Sequence, residues 1–290
     1  MGKLPYAALT VTLVLWASSF PAIKAGLASY SPIHLAALRF ATASVALMCA
    51  APLLGVRLPR RQDLPLVLAL GVLGVAAYHV FLNYGEALAT ASAAAFIANV
   101  APLFTAVLVR KIGETPARRS WLGLVAGLMG IWLISVSLPG EFALNEGCLL
   151  LLLAAFCWSL FFVLQKPLLA FYSPLEVTCY AVWTGTLLLA LFLPGAMSEA
   201  QAASVPATLC AVYLGIVPTA GAYLCWSYVL SQISVARAAI YTYLVPIISA
   251  AMSYAWLGER PTVLFSVGAA TVLLGVGIAH RVEDAKAVGR

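Results

Sequence analysis

Long apolar stretches alternate with short polar breaks along almost the whole chain, from Tyr6 to His280. Each stretch has about 20 residues, which is enough for a helix to cross a hydrocarbon core roughly 30 Å thick. A helix also satisfies its own backbone hydrogen bonds, as a chain in lipid must. Breaks at proline, glycine and charged clusters predict ten spans, numbered 1 to 10: residues 6–26, 33–54, 65–87, 90–111, 119–138, 147–168, 175–194, 206–230, 236–257 and 262–280.

Composition agrees with an all-α membrane protein. Hydrophobic residues make up 63% of the chain and charged residues 9%, whereas soluble domains have roughly 45–50% and about 25%. Runs such as Leu149 to Phe156 contain no polar residue, so they lack the alternation of a transmembrane β-strand. We therefore expect helices that contact lipid on their outer faces.

The basic residues predict the orientation of the chain in the membrane. With the N-terminus inside, all 16 Lys and Arg residues except Lys24, Arg39 and Arg260 fall at cytoplasmic ends of spans. This is the positive-inside pattern, so we expect both termini in the cytoplasm. It also accounts for the formal charge of +6 without a nucleic-acid partner.

Six cysteines lie inside or at the ends of apolar segments, and no two have a C-x-x-C or other metal-ligand spacing. Small packing residues are the expected role. The sequence therefore predicts no metal site and no cofactor. The six are Cys49, Cys148, Cys157, Cys179, Cys210 and Cys225.

The chain repeats itself when it is shifted by 142 residues. Residues that are rare in such a composition coincide in one register, which chance matching of Leu and Ala does not explain. Near residue 84 the shift becomes 144, and from residue 114 it is 145. Matched pairs include Trp16 with Trp158, Lys24 with Lys166, Tyr30-Ser31-Pro32 with Tyr172-Ser173-Pro174, Tyr84 with Tyr228, Pro102 with Pro246, Glu114 with Glu259, Pro116 with Pro261, Gly123 with Gly268, and Gly130 with Gly275.

Each repeat holds five spans, so the second repeat must enter the membrane from the opposite side. We predict repeat 1 over residues 1–140 and repeat 2 over residues 141–290, inverted around a central cavity. Transporters use this design, with the substrate near the midplane and alternating access to it. Because one chain supplies both repeats, we expect a monomer.

Span 3 carries a polar face. His79, Asn83 and Glu86 share one side of the helix, and ionisable residues within spans usually face the bundle interior or a water-filled cavity. We predict that His79 and Asn83 bind substrate, together with the adjacent Tyr78. The alternative is hydrogen bonding between helices, with Glu86 at the membrane interface.

Aromatic residues occupy equivalent depths in the two repeats. Trp16 and Trp158 fall near the middle of their spans, where they either line the cavity or serve only packing. At the shift of 144, Tyr223 corresponds to His79, and Tyr243 corresponds to Asn99. We add these residues and Trp226 to the predicted substrate-binding set, which is Trp16, Tyr78, His79, Asn83, Asn99, Trp158, Tyr223, Trp226 and Tyr243.

Pro102 and Pro246 lie at matched positions inside spans 4 and 9. A proline inside a helix removes a hydrogen bond and favours a kink, and paired interruptions of this kind point towards a transporter's binding centre. We predict that both prolines are hinges.

Charged residues inside the spans are few. Arg39 in span 2 needs a partner or a route to the interface, and a structural role is favoured. Arg237 is expected to be a charge at the start of span 9 rather than a ligand. Because Asp63 and Asp284 flank spans, the usual carboxylate for ion coupling is missing. Proton relay through His79 or Glu86, and uncoupled transport, both stay open.

The motifs resemble the EamA-type branch of the drug/metabolite transporter superfamily across both halves of the chain. The resemblance implies ten helices in two inverted repeats around a cavity, in the bacterial inner membrane, exporting amino acids or related metabolites. Within the branch the chain is similar to YddG-type exporters of aromatic amino acids. The motifs are Trp16-Ala-Ser-Ser-Phe20-Pro21, Ala37-Leu38-Arg39-Phe40, Asn83-Tyr84-Gly85-Glu86-Ala87-Leu88, Ala91-Ser92-Ala93-Ala94-Ala95, Ala101-Pro102, Ile112-Gly113-Glu114, Val245-Pro246 and Leu257-Gly258-Glu259.

The alternatives to amino-acid export are a different transported substrate, a channel and an intramembrane enzyme. Export of drugs or transport of nucleotide sugars on the same fold is the main alternative, although the predicted cavity is short of the basic residues that a nucleotide sugar would need. A channel would show fluxes without saturation. The sequence contains no H-E-x-x-H motif and no paired aspartates, so it does not favour an intramembrane enzyme.

Overall fold

A computed structural model of the chain describes residues 3–89, 96–137, 145–257 and 262–288. Every regular element in these ranges is helical. The motif Ala91–Ala95 and the repeat-matched Glu259 and Pro261 lie outside the described residues.

Fourteen α-helices are described within these ranges, and short 3-10 or π-helical segments join several of them. The α-helices are α1 Lys3–Leu27, α2 Pro32–Ala50, α3 Leu64–Gly71, α4 Tyr78–Leu88, α5 Ala101–Leu108, α6 Ser120–Val136, α7 Glu146–Leu168, α8 Pro174–Leu189, α9 Leu193–Ala202, α10 Val205–Leu214, α11 Ala222–Gln232, α12 Val235–Ile240, α13 Val245–Leu257 and α14 Val263–Val288. The π segments are Val72–Ala77 and Gly215–Gly221, and the 3-10 segments are Arg61–Asp63, Val109–Ile112, Ala190–Phe192 and Tyr241–Leu244.

Eight helical runs in the described ranges are long and apolar enough to cross a bilayer, and they correspond to predicted spans 1, 2, 3, 6, 7, 8, 9 and 10. Span 5 is the shorter apolar helix Ser120–Val136. The first residues of span 4 lie outside the described ranges. Large apolar side chains such as Leu187, Leu191 and Leu274 are exposed, as side chains that contact lipid would be.

The described chain forms two compact units, and each unit takes spans from both predicted repeats. Unit 1 consists of residues 1–84 and 164–232, and unit 2 of residues 85–163 and 233–290. The predicted repeat boundary at 140/141 lies outside the described residues and stays a prediction.

Within unit 1, spans 2 and 7 run antiparallel. Ser44 Oγ donates to Thr186 Oγ1 at 2.7 Å, and these two residues correspond under the shift of 142. Thr186 Oγ1 also donates to the carbonyl of Phe40, whereas Trp183 Nε1 approaches the carbonyl of Ser44. Residue numbers therefore rise in one span as they fall in the other, with equivalent residues facing each other.

Span 2 packs on the π segment of span 8, and span 7 packs on the π segment of span 3. Glycine permits both close approaches. A Cβ on Gly71 would come within 2.6 Å of the backbone nitrogen of Gly185, and one on Gly215 within 2.5 Å of the carbonyl oxygen of Arg39. Gly71 and Gly215 correspond under the shift of 144, so the two crossings are built at equivalent positions.

Unit 2 shows the same inversion in spans 5 and 10. A Cβ on Gly123 would come within 2.5 Å of the Gly275 carbonyl oxygen, and one on Gly130 within 2.7 Å of the Gly268 carbonyl oxygen. Since Gly123 matches Gly268 and Gly130 matches Gly275, the contact has the exchange pattern of a two-fold interface. The predicted antiparallel arrangement is confirmed for these spans.

The Tyr-Ser-Pro triplets start spans 2 and 7 in the same way. Ser31 and Ser173 precede the helices with nearly identical extended backbones, φ −66° and ψ 155° or 157°. Pro32 and Pro174 follow in the first turn, where the missing N–H is not needed. The two serine N–H groups donate to glutamates, that of Ser31 to Glu199 and that of Ser173 to its own helix.

Two ion pairs lie at opposite ends of α2. At one end Glu176 Oε1 accepts a hydrogen bond from Arg57 Nε at 2.8 Å, and at the other His34 Nδ1 lies 2.8 Å from Glu199 Oε1. Under the shift of 142, His34 corresponds to Glu176 and Arg57 to Glu199. The two pairs are therefore equivalent in position, with the glutamate and its nitrogen-bearing partner exchanged.

The Arg57 pair belongs to a larger polar cluster. The hydrogen bond to Glu176 raises the pKa of Arg57, so this residue stays charged. Burial, together with a hydrogen bond to Asp63, raises the pKa of Tyr172. Tyr172 also accepts a hydrogen bond from the Arg60 backbone N–H. These hydrogen bonds join the connection between spans 2 and 3 to the start of span 7.

Candidate functional site

The predicted substrate-binding residues fall into both units. Unit 1 holds six of them and unit 2 holds three together with the two prolines. The unit 1 set is Trp16, Tyr78, His79, Asn83, Tyr223 and Trp226. The unit 2 set is Asn99, Trp158, Tyr243, Pro102 and Pro246.

Three of the unit 1 aromatics form one cluster, contributed by spans 1 and 8. The rings of Trp16 and Trp226 are 5.0 Å apart, and the ring of Tyr223 meets Trp16 edge-on at 6.5 Å. All three side chains are buried, and Trp226 completely so. We call Trp16, Tyr223 and Trp226 the aromatic cluster.

His79 lies just after the π segment of span 3 and is 2% exposed. Its Nδ1 is 3.0 Å from the Val75 carbonyl oxygen. Because a carbonyl oxygen only accepts, Nδ1 carries the proton, and in the neutral ring Nε2 is an acceptor. The imidazole also meets the rings of Phe40 at 4.5 Å and Tyr78 at 4.6 Å, both edge-on.

Asn83 ties span 3 to the start of span 2, since its Nδ2 donates to the Pro32 carbonyl at 2.9 Å. Its Oδ1 is buried and has no hydrogen-bond partner among the described residues. The sequence left open whether this residue lines a cavity or joins two helices. The structure shows the hydrogen bond that joins the two helices. The Oδ1 atom of Asn83 is left as an acceptor for a ligand.

The equivalent place in span 8 is filled by a closed hydrogen-bond chain. Ser227, which matches Asn83, donates to Gln165 at 2.8 Å. It also lies 3.0 Å from the hydroxyl of Thr178, which donates to the Pro174 carbonyl. Asn83 therefore binds the proline that starts span 2, whereas Ser227 contacts Thr178 near the start of span 7.

Sequence reasoning missed the two π segments. Val72–Ala77 and Gly215–Gly221 overlap under the shift of 144, and His79 and Tyr223 each follow two residues later. π-helical turns are rare and frequently mark functional sites. The repeated glycines Gly71 and Gly215 were the available signal, although glycine alone does not specify a π turn.

In unit 2, Trp158 stacks on Phe161 with ring centroids 5.0 Å apart and planes 16° apart, and it packs against Phe162. Tyr243 is fully buried, and its ring lies against Gly127, where a Cβ would come within 2.5 Å of it. In the described conformation both aromatics pack within unit 2, and their role in substrate binding stays a prediction. Asn99 is half-buried, in the turn before α5.

The two prolines stand at the first turns of helices rather than inside them. Pro102 is the second residue of α5, after a turn at Asn99 and Val100, and Pro246 is the second residue of α13, after the 3-10 segment Tyr241–Leu244. Proline is tolerated there because its N–H is not needed. Both spans are interrupted at matched positions, but each interruption lies just before its proline. The hinge role of the prolines stays a prediction.

Arg237 starts span 9, as expected, but it is buried. Its Nη2 lies 3.1 Å from His280 Nδ1, and the Tyr241 hydroxyl lies 2.6 Å from the same nitrogen. Glu114 accepts the backbone N–H groups of Val235 and Ala236 in the first turn of the same span. This end of unit 2 is thus held by polar contacts.

No metal site is evident in the part of the chain that the structure describes. Its His, Cys, Asp and Glu side chains do not gather in groups of three or more, and the six cysteines are free thiols. The predicted substrate-binding residues carry aromatic, amide and imidazole groups.

Two stretches of the chain, residues 4–136 and 145–280, match the EamA-like transporter family. An uncharacterised transporter of Bacillus subtilis, YdfC, is 39% identical over 90% of this chain and 86% of that protein. A probable terminal-alkyne amino-acid exporter of Streptantibioticus cattleyicolor is 38% identical over 94% of this chain and 92% of its own length.

A more distant relative and a solved structure are also similar to this chain. A probable amino-acid metabolite efflux pump of Salmonella typhimurium is 28% identical over 92% of both chains. One solved crystal structure agrees with a TM-score of 0.78 over 96% of this chain and 97% of that chain at 20% identity, which supports the fold alone. These names mention amino acids without specifying aromatic ones, so the narrower resemblance to YddG-type exporters stays a prediction.

Proposed function

The chain belongs to the EamA-like transporter family, with the ten-helix, duplicated fold of that family, and on this premise we propose that it exports amino acids with aromatic or large neutral side chains. It works as a secondary carrier by alternating access. The observation that carries the substrate class is the combination, within unit 1, of the aromatic cluster with the polar atoms of His79 and Asn83.

The side chain and the ammonium group of such a substrate have suitable partners in unit 1. Faces and edges of Trp and Tyr rings favour aromatic and apolar side chains. The buried Oδ1 of Asn83 and the acceptor Nε2 of His79 suit the N–H donors of an ammonium group. Such a set suits amphipathic molecules that carry an ammonium group and an aromatic or apolar side chain.

The same groups are buried in the described conformation, Trp16 to 8% and His79 to 2% exposure. A substrate must therefore reach them in another state of the transport cycle. Alternating access supplies such a state, because the two sides of a transporter's binding centre open in turn.

Counter-flow in proteoliposomes tests the proposal. Preloaded unlabelled phenylalanine or leucine should accelerate uptake of the radiolabelled amino acid, and uptake should saturate. A panel of unlabelled competitors should rank aromatic and large neutral amino acids first. Strong competition by drugs or nucleotide sugars alone would favour the alternative substrates, whereas linear flux without exchange would indicate a channel.

Variants connect the transport to the site. Trp16→Ala and His79→Ala should lower counter-flow about tenfold or more, as loss of a buried aromatic anchor does. Trp132→Ala is the matched control, because Trp132 is 43% exposed on span 5. Wild-type transport in both site variants, with normal expression and folding, would refute the site assignment.

A further inference from the structure

A basic and apolar segment connects spans 2 and 3 in unit 1 and has no role in the function proposed so far. Residues 53–61 contain three arginines, no acidic residue and three leucines that are each at least 63% exposed. The segment lies at the end of span 2 that is predicted to face the cytoplasm. We call residues 53–61 the basic connection. Its arginines are Arg57, Arg60 and Arg61, and its leucines are Leu53, Leu54 and Leu58.

Span 2 ends at Gly55, where the chain leaves the helix. Gly55 has a φ of 68°, the left-handed conformation that glycine adopts at helix ends. The Val56 N–H donates to the Ala51 carbonyl across this turn, a hydrogen bond typical of a helix C-terminus. Leu53 and Leu54 therefore lie at the end of the span, and the first arginine follows just beyond it.

The start of span 7 binds the backbone of the basic connection at two residues. The Arg57 N–H donates to Glu176 at 3.2 Å, and the Arg57 carbonyl accepts the Tyr180 hydroxyl at 2.8 Å. The Arg60 N–H donates to the Tyr172 hydroxyl oxygen at 2.9 Å. The fold therefore sets the places of these arginines on the surface.

The three arginine side chains differ in their contacts. Arg57 pairs with Glu176 through Nε and Nη2, although its side chain is 71% exposed. The guanidinium carbon of Arg60 lies 5.4 Å from the ring centroid of Phe171, and Arg61 is exposed. Among the described residues, the side chains of Arg60 and Arg61 make no hydrogen bond or ion pair. Two cations of the basic connection are therefore available to an anionic ligand.

The acidic residues of unit 1 leave this surface positive. The ranges 1–84 and 164–232 contain three of them. Asp63 accepts a tyrosine hydroxyl, Glu176 pairs with an arginine of the basic connection, and Glu199 lies at the opposite end of α2. Three arginines thus face two carboxylates, and the charge without a carboxylate partner in unit 1 lies on Arg60 and Arg61.

The equivalent connection in repeat 2 lacks both features. Residues 195–205 join spans 7 and 8 and contain one glutamate and no lysine or arginine. Under the shift of 142, the three exposed leucines correspond to Gly195, Ala196 and Ala200. The turn itself therefore requires neither the arginines nor the leucines. The positive-inside pattern accounts for basic residues on one side, but it does not account for leucines exposed beside them.

We propose that the basic connection binds an anionic phospholipid. Arg60 and Arg61 bind the phosphate of the headgroup, and the leucines contact its acyl chains. A guanidinium group matches phosphate oxygens with two parallel hydrogen bonds, and basic clusters beside the cytoplasmic end of a span attract anionic lipids. The exposed leucines favour a lipid over a soluble phosphate, because their burial needs an apolar partner.

Thermal unfolding of the purified protein in a neutral detergent tests this proposal. Added phosphatidylglycerol should raise the unfolding temperature by several degrees, because a ligand of the folded state stabilises it. Phosphatidylcholine with the same acyl chains should raise it by less than half as much. Glycerol phosphate should have no effect, since it has no acyl chain. Native mass spectrometry should show more phosphatidylglycerol than phosphatidylcholine retained from an equal mixture.

Variants of exposed residues connect the lipid to the basic connection. Arg60→Gln/Arg61→Gln should weaken phosphatidylglycerol binding roughly tenfold or more, since each basic residue near anionic lipid contributes about fivefold. Leu58→Ser should weaken it about threefold, because an apolar contact is lost at a position that is 89% exposed. Without lipid, these variants should unfold at the wild-type temperature.

Arg118→Gln/Arg119→Gln is the matched control. These two arginines are exposed before α6, at another end predicted to be cytoplasmic, and residues 113–119 contain no leucine. The control removes the same charge, and we expect phosphatidylglycerol binding to stay within about twofold of wild type.

Three results would overturn the proposal. The first is an equal effect of phosphatidylglycerol and phosphatidylcholine on wild-type protein, which decides the matter even if a variant does not fold. The second is equal weakening by the two double variants, which would mean attraction by net charge alone. The third is full stabilisation by glycerol phosphate, which would make the ligand a soluble phosphate.

Discussion

The crossing of span 2 with span 8 and the crossing of span 7 with span 3 occupy equivalent positions in the two repeats. Both use a glycine where a π segment begins: Gly215 is the first residue of one segment, and Gly71 directly precedes the other. The first crossing contains a buried arginine hydrogen-bonded to a threonine, whereas the second contains alanine and valine there. The two crossings share their backbone geometry and differ in the chemistry of their side chains.

The ends of the same spans differ in a similar way. Glu176 pairs with Arg57, and Glu199 pairs with His34, at matched positions with the glutamate exchanged between the two repeats. The arginine lies at the end predicted to face the cytoplasm, where basic residues are favoured. Duplicated backbone features thus define the fold, and the departures from the duplication lie in the side chains.

The largest expected effect comes from the shared crossings. Gly71→Ala and Gly215→Ala should each destabilise the protein by about 1–3 kcal/mol, because the added Cβ meets backbone atoms that have no room to move. Thermal unfolding of the purified protein in detergent measures this effect.

Gly221→Ala is the matched control for the glycine variants. It lies at the other end of the same π segment as Gly215, and its nearest atom would be 3.6 Å from the new Cβ. We expect a change within about 0.5 kcal/mol. Equal losses in Gly215→Ala and Gly221→Ala would show that the close approach is not the cause.

A smaller effect should separate the two ion pairs. The side chain of Glu176 is 4% exposed and that of Glu199 is 31% exposed. Glu176→Gln should lower the unfolding temperature by several degrees, and Glu199→Gln by less than half as much, since exposed ion pairs contribute little. Equal shifts in the two variants would mean that burial does not distinguish the pairs.

Much of the fold was predictable because its signals are local. Apolar length predicted nine of the spans at nearly the described bounds. The repeat of rare residues predicted the antiparallel packing, which Gly123 and Gly275 confirm. The π segments and the breaks before Pro102 and Pro246 were not predictable, because they depend on packing against other spans.

The candidate site was predictable in part. His79, Asn83 and Trp16 were chosen for being polar or aromatic at membrane depth. Unit 1 contains all three, and Trp16 contacts Tyr223 and Trp226. The partner of Arg39 was not predictable, because a lone arginine in a sequence has no visible neighbours. Its contact with Thr219 joins residues 180 apart in the chain, and no pattern along the sequence reports that distance.

The account depends most on the antiparallel pairing of spans 2 and 7 through Ser44 and Thr186. Cross-linking tests it in a cysteine-free background that carries Ser44→Cys, Thr186→Cys and a protease site inserted between residues 138 and 144. After oxidation in membranes and proteolysis, the two fragments should migrate as one band that a reducing agent separates. The control pair Ser44→Cys with Leu187→Cys should not cross-link, because Leu187 is 71% exposed. Efficient cross-linking in the control pair and none in the Ser44/Thr186 pair would contradict the account.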